Sequence, residues 1–508
     1  MKERMIVIGA GPGGLAAAML LASQGYEVDV YEKQDGVGGR NAELRLGDFV
    51  FDTGPTFLSM IHLVEELFSI AGRDLKDYMD AVKLDPMYEL IFEDQNLVMT
   101  HNFEEMKKQI DENFEGSGEG YVRFMNETGR KLEALTPLLQ SRMDRLIHMM
   151  QPKVIKALPE LEVSKTLYDV LSRYFKDERL KMAFAFQSKY LGMSPWECPG
   201  AFTILSYMEH AYGIYHPIGG VNQLSQAMAK VVKELGGRIH TGSGVKKLVI
   251  ENRAVKGVEL ENGDVELAAE VIINADFAHA MTHLVEPGIL KKYTPEKLEK
   301  KKYSCSTFMM YLGLDTTYDL SHHTIVFSKD YKKNVEEITN TRMLSADPSI
   351  YIQNASVTDP TLAPEGKSAL YILAPVPNNF SDIGWEQEQE TFRELVLDII
   401  EEKTEFKGLR NHIVEEKLLT PMGWEEDYSV YKGATFNLGH QLSQMMIFRP
   451  HNKFEELDNC WLVGGGTHPG SGLPTILESA RITTNGIFEQ HGKAAIPIMP
   501  LPAWEGSR

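Results

Sequence analysis

Gly9, Gly11 and Gly14 fall within one run, Gly9-Ala10-Gly11-Pro12-Gly13-Gly14, and an acid, Glu32, follows 18 residues after the last of them. Residue types at that spacing suit a dinucleotide. Gly9 permits a tight turn, Gly11 lets the backbone approach a pyrophosphate, and Gly14 allows a helix to pack closely on a strand. A helix that starts there offers free N–H groups to the phosphates. Glu32 can accept hydrogen bonds from both hydroxyls of a ribose, whereas a 2′-phosphate would be repelled. The fingerprint does not separate one dinucleotide from another.

These residues need a strand, a helix and a second strand to hold them. Met5-Ile6-Val7-Ile8 is a short apolar run, as in a strand buried on both faces. Leu15 to Ser23 reads as a helix that ends at Gly25, and Tyr26 to Tyr31 as the next strand, with Glu32 at its end. The basic start followed by an apolar run imitates a signal peptide, but five glycine and proline residues interrupt it where such a helix should be continuous.

Two later stretches repeat the theme. After His216-Pro217-Ile218-Gly219-Gly220 come a helix pattern (Gln223 to Leu235) and strands at Arg238 to Thr241 and Val245 to Glu251. A hairpin with an Asn262-Gly263 turn and a buried strand, Val271 to Asp276, follow. Near the C-terminus the strand Cys460 to Val463 runs into Gly464-Gly465-Gly466-Thr467-His468-Pro469-Gly470, with a helix pattern from Thr475 to about Ile487. A glycine turn between strand and helix again presents backbone donors to an anionic or polar ligand.

The sequence has 508 residues and a formal net charge of -20, which speaks against a nucleic-acid partner and against docking on anionic lipid through a basic patch. Cys198, Cys305 and Cys460 are few, odd in number and far apart, as expected of reduced thiols in a cytosolic protein, and no spacing suggests a metal site. The expected fold class is α/β: a Rossmann-like dinucleotide-binding domain, a discontinuous α+β substrate domain and a helical, membrane-facing region. The expected segments are 1–100, 216–300 and 421–508 for the cofactor domain, 101–215 for the helical region and 301–420 for the substrate sheet and its helices. The helical stretch carries many methionines, among them Met143, Met149 and Met150, which adapt to irregular apolar partners although core packing is their commoner use.

Further runs carry a resemblance. They are Val37-Gly38-Gly39-Arg40, Phe51-Asp52-Thr53-Gly54-Pro55-Thr56, Tyr303-Ser304-Cys305-Ser306 and His322-His323-Thr324. Leu362 to Lys367, Leu373 to Pro377, Phe448-Arg449-Pro450-His451-Asn452 and Gly466 to Gly470 continue the series over nearly the whole chain. In this order they resemble the bacterial carotenoid desaturases of the phytoene and dehydrosqualene (diapophytoene) type, within the FAD-dependent amine oxidase superfamily. The resemblance implies FAD, held by Gly9, Gly11, Gly14, Glu32, Gly39, Arg40, Gly54, Pro55, Val245, Gly466 and Thr467. Val245 would meet the adenine through its backbone, and Gly466 and Thr467 the flavin end. Gly433 to Asn437 and Glu478 depart from the usual pattern near the flavin, which leaves the identity of the polyene open.

The activity so implied is the introduction of double bonds into a linear polyene by hydride transfer to flavin N5, with dehydrosqualene desaturase the preferred reading. Phytoene desaturase, a related carotenoid oxygenase or isomerase, an amine oxidase and a prenyl-lipid carrier without catalysis are the alternatives. A hydrocarbon substrate, a cytoplasmic protein resting on the inner face of the cell membrane through an apolar patch, and oxygen or a quinone as electron acceptor follow from the same resemblance. No residue announces itself as the proton acceptor. His468 lies beside the expected flavin loop but reads equally as a backbone-bonded turn residue, and Arg142 and Asp144 read as solvated surface charges.

Overall fold

The run Met5-Ile6-Val7-Ile8 has no polar side chain to leave in water, and in the computed structural model it lies at the middle of a parallel sheet, fully packed on both faces. Residues 3–504 and 506 are described; Met1, Lys2, Glu505, Ser507 and Arg508, the extreme ends of the stretches 1–100 and 421–508, lie outside the described residues. The sheet comprises β1 (Arg4–Ile8), β2 (Glu27–Tyr31), β3 (Arg238–His240), β4 (Glu270–Ile273) and β5 (Cys460–Leu462), in the order β3-β2-β1-β4-β5. Ile6 faces Asp29 on one side and Val271 on the other, and Ile272 faces Trp461. Three separate pieces of the chain thus build one sheet.

Three helices cover one face. Helix α1 (Pro12–Ser23) packs between α2 (Asn222–Glu234) and α3 (Leu473–Gln490). Every residue of α1 from Gly13 to Ala22 is buried, which explains why it is apolar all round rather than on one stripe.

A second sheet has seven strands, in the order Ile413–Leu419, Ser306–Leu314, Ser368–Val376, Ile350–Asn354, His323–Val326, Tyr88–Ile91, Asn96–Met99. Helix Trp385–Lys403 lays Trp385, Phe392, Val396 and Ile400 against Phe308, Met310 and Leu312 on one face. The opposite face sends Tyr311 and Tyr371 toward Thr53 and Gly54, just past the strand Phe49–Asp52. Tyr88–Ile91 and Asn96–Met99 depart from the expected 1–100 boundary: they belong to this sheet, with Leu90 paired in parallel to Ile325. The alternation at Asn96-Leu97-Val98-Met99 marks a half-buried strand but cannot say which sheet it joins.

Residues 101–215 are largely helical, with Phe103–Asn113, Gly118–Leu139 and Ile204–Tyr212 as the longer pieces. Their core gathers Tyr121, Phe124, Phe175 and Phe184. The methionines divide: Met143 is buried, whereas Met150 is 71% exposed. Among the described residues no helix is long and apolar enough to cross a membrane. All three cysteines are buried and unpaired.

Candidate functional site

Gly9 has a φ of +94°, a conformation that suits glycine, and it turns the chain from β1 into α1. The turn is locked from β4. The Asn274 side-chain amide donates to the Gly9 carbonyl at 3.1 Å, and the Asn274 backbone N–H donates to Ile8 at 2.8 Å. A Cβ on Gly14 would lie 2.3 Å from the Gly9 carbonyl oxygen and 2.8 Å from Asn274 Nδ2, so the close packing expected of this glycine is enforced by backbone. Helix α1 has Gly11 at its N-cap and no side-chain cap, which leaves its first N–H groups for an anion. Pro12, which lacks an N–H, occupies the position where none is needed.

The acid lies within reach of this turn. Glu32 accepts from the Ala10 backbone N–H at 2.8 Å and from Gln34 N–H at 2.9 Å, so both oxygens are oriented while lone pairs stay open for ribose hydroxyls. The Glu32 carbonyl accepts from Ser243 N–H at 2.8 Å, which fixes the chain two residues before Val245 beside the same acid. Gly38 N–H donates to the Ala10 carbonyl at 2.9 Å, and a Cβ on Gly39 would meet nothing closer than the Gly11 Cα at 3.7 Å. Bare backbone therefore faces bare backbone, a cradle that side chains would fill.

Arg40 leaves this turn for the other side of the site. Its guanidinium donates to the Thr435 carbonyl at 2.6 Å and pairs with Asp276 Oδ2 at 3.5 Å. With the Asn437 amide turned to satisfy both neighbours, its nitrogen donates to Asp276 at 2.7 Å and its oxygen accepts from Arg40 at 3.2 Å. Burial raises the Asp276 carboxyl pKa above the usual range, against the opposing pull of Arg40. The Arg40 carbonyl lies 2.5 Å from where a Gly54 Cβ would stand, so Gly54 must be glycine for Pro55 to follow in place. Tyr311 and Tyr371 donate to the Thr53 and Gly54 carbonyls at 2.7 and 2.9 Å.

The C-terminal turn completes the arrangement. A Cβ on Gly466 would meet Phe277 Cβ at 2.6 Å, and Thr467 Oγ1 donates to the Pro450 carbonyl at 2.5 Å. Arg449 is fully buried and donates to the carbonyls of Thr467 (2.9 Å) and Gly465 (2.6 Å); burial pulls its pKa down to about 9. Next to it, His468 Nε2 lies 3.0 Å from the Leu138 carbonyl, and burial lowers its pKa to about 4. Neutral His468 therefore donates to backbone. Glu478, on α3, accepts from Gln140 Nε2 (2.8 Å) and Arg481 Nε (2.9 Å) in a buried setting.

The structure thus brings Gly9, Gly11, Gly14, Glu32, Gly39 and Val245 to one edge of the β1–α1 turn. Arg40, Gly54 and Pro55 lie along a second edge, and Gly466 and Thr467 along the crevice at the ends of β4 and β5. Open carboxyl ends of parallel strands are where such folds take their ligands. The residues present fit FAD: uncapped N–H groups at α1, an acid for the ribose, and a cation in Arg40. Sequence reasoning missed Asn274 and Arg449. Asn274 carried a weak signal, a polar residue directly after three apolar strand residues, and Arg449 lay inside the run Phe448 to Asn452. Arg142 and Asp144 are corrected: they pair at 2.5 Å with little exposure, and Asp144 also meets His148 at 2.8 Å, because the segment folds back under α3 through Arg142 and Glu489 (3.0 Å).

Several known proteins are similar to this chain. The family described as "Flavin containing amine oxidoreductase" matches residues 12–487. A 4,4'-diapophytoene desaturase (4,4'-diapolycopene-forming) of Methylomonas sp is 51% identical over 489 residues, 96% of each chain. An all-trans-zeta-carotene desaturase of Myxococcus xanthus is 37% identical, covering 99% of this chain and 95% of its own. Among solved structures, a putrescine oxidase superposes with a TM-score of 0.64 at 13% identity, over 96% of this chain and 99% of that one, a likeness of fold.

Proposed function

The chain belongs to the flavin containing amine oxidoreductase family and, within it, to the carotenoid desaturases, and from that premise we propose that its substrate is the thirty-carbon polyene 4,4'-diapophytoene (dehydrosqualene). It is an FAD-dependent oxidoreductase. The observation that carries the substrate reading is the identity of half the residues, over almost the entire length, with a diapophytoene desaturase.

FAD, when bound, supplies the two-electron acceptor for an allylic CH2–CH2 unit. The chain's own residues do the rest. Gly9, Gly11, Gly14, Glu32, Val245 and Arg40 would hold the adenosine and phosphates, and Gly54, Pro55, Gly466 and Thr467 would flank the flavin end. A hydrocarbon gives the protein no polar handle, so burial must orient it. The apolar core of the helical region reaches Met60 and Leu63, a few residues past Pro55, with Phe57 packed against it. That continuity supports a substrate path from the helical region to the flavin.

The helical region also supports a membrane contact. Ile147, Met150, Ile155, Leu158 and Val163 are 40–71% exposed within one short stretch, and Arg145 and Lys156 beside them stand ready to reach lipid headgroups. On this reading the protein rests peripherally on the inner face of the cell membrane, draws its substrate from the bilayer, and passes electrons to oxygen or a quinone. The substrate test is parallel incubation of the flavoprotein with liposomes carrying the thirty-carbon or the forty-carbon polyene. Faster lengthening of conjugation in the thirty-carbon substrate supports the proposal; preference for phytoene overturns it.

A further inference from the structure

Removal of two hydrogens from a CH2–CH2 unit as hydride and proton needs a proton acceptor, and at the flavin turn His468 is a weak one: its Nε2 donates to the Leu138 carbonyl and burial lowers its pKa to about 4. Elsewhere, one carboxyl is buried in the apolar core that runs up to the flavin loop. Glu209, on helix Ile204–Tyr212, is 3% exposed. Its Oε2 accepts from Tyr88 OH and from Gln187 Nε2, both at 3.0 Å, and Tyr190 OH stands close by. Tyr88 comes from the second sheet, and Gln187 and Tyr190 from the turn Phe186–Leu191, so two distant parts of the fold converge on this helix-borne carboxyl.

The cluster leads to the cofactor loop. The Tyr190 ring packs edge-on against Phe57, with ring centres 5.8 Å apart, and Phe57 follows Pro55 and Thr56 directly. Thr56 Oγ1 and Tyr351 OH are 2.5 Å apart, and Tyr351 OH lies 2.7 Å from His323 Nδ1, whose ring also packs on Phe57 at 5.6 Å. A polar island at this junction is costly in an apolar core unless it has work there.

We propose that Glu209 is the proton acceptor of the desaturation, with Tyr190 presenting it to the substrate beside Phe57. This inference rests on the desaturase reading. In each step one C–H leaves with its electron pair to the flavin, the neighbouring C–H gives its proton to the Glu209 carboxylate, and the freed pair forms the C=C bond. Carboxylate becomes carboxylic acid, and FAD is reduced by two electrons. Every group facing Glu209 (Tyr88, Gln187, Tyr190 and, beyond it, Tyr351) is uncharged at neutral pH, and burial, only partly offset by these polar neighbours, raises its pKa to about 7. A carboxyl so poised can take a proton near neutrality and release it again.

The test is Glu209→Gln, which keeps the size and hydrogen-bonding reach of the side chain. In the wild type, infrared spectra of the protein as purified, before any substrate is added, show a protonated-carboxyl band that titrates near pH 7 and is missing from the variant. In anaerobic mixing with diapophytoene liposomes, flavin bleaching in the wild type accelerates with pH through the same value; the variant keeps its flavin, bleaches about 100-fold more slowly and lacks that limb. Tyr88→Phe removes a donor to the carboxylate and moves both the band and the limb to higher pH, which a purely structural role would not do. Wild-type bleaching speed in Glu209→Gln, an unmoved limb in Tyr88→Phe, or a wild-type-minus-variant difference spectrum with no carboxyl band titrating near pH 7 overturns the inference. If the wild type itself fails to bleach with any polyene, the desaturase reading fails instead.

Discussion

The side-chain amide of Asn274 donates to the carbonyl of Gly9 at 3.1 Å, and the same side chain stands within 3.1 Å of where Cβ atoms on Gly11, Gly13, Gly14 and Gly464 would be. One polar residue at the end of β4 thus fixes the turn after β1 and touches the turn after β5. The two ends of the cofactor site are held in mutual register by it.

Asn274→Ala removes that hydrogen bond and opens space under the turn. The expected loss is about 1 to 2 kcal/mol of FAD affinity, roughly a 5- to 30-fold rise in Kd. Fluorescence titration of the cofactor-free protein with FAD measures it, and Kd unchanged from the wild type contradicts the role.

Arg40→Ala removes the cation proposed for the pyrophosphate and strands Asp276, a buried carboxyl. FAD binding is expected to weaken by about 10- to 100-fold. Adding Asp276→Asn to Arg40→Ala relieves the stranded charge and recovers thermal stability without recovering FAD affinity. Recovery of both would assign Arg40 to the fold and not to the cofactor.

Glu209 links stability to pH. Its pKa is raised in the folded chain to about 7, so the folded protein holds a proton that the unfolded chain has lost. Its contribution is present in full below the ordinary glutamate range and is lost as pH rises from about 4.5 through 7, an amount on the order of 3 kcal/mol. Glu209→Gln lacks this slope. Unfolding midpoints of the two proteins are expected to converge at low pH and to separate, in favour of the variant, above neutrality.

The exposed apolar stretch gives a membrane prediction. Replacing Ile147, Met150 and Ile155 by serine removes the side chains available for insertion, each worth about 1.5 to 3 kcal/mol when fully buried. Liposome flotation is expected to fall at least tenfold while FAD content stays unchanged. Undiminished flotation would place the contact elsewhere.

Much of the cofactor side was legible because its signals are local. A strand, a glycine turn, a helix and an acid within 32 residues specify one another by short-range sterics, and the observed β1, α1 and β2 agree with the reading to within a few residues. The strands at Glu270–Ile273 and Cys460–Leu462 were visible as apolar runs for the same reason. The remainder depends on partners distant in sequence. Nothing near Tyr88 says that its hydroxyl will meet a carboxyl 121 residues away, and nothing at Asn96 to Met99 says which sheet it will join. Nothing in the run Phe448 to Asn452 says that the fold will wrap the carbonyls of Leu438, Gly465 and Thr467 around Arg449.

The central claim is that this flavoprotein takes hydrogen from a hydrocarbon polyene. The direct measurement is anaerobic mixing of the FAD-loaded protein with liposomes carrying 4,4'-diapophytoene, with flavin and polyene absorbance followed together. Flavin bleaching in step with a longer-wavelength polyene product is the predicted result. A tightly bound flavin that stays oxidised in the presence of both thirty- and forty-carbon polyenes would contradict it.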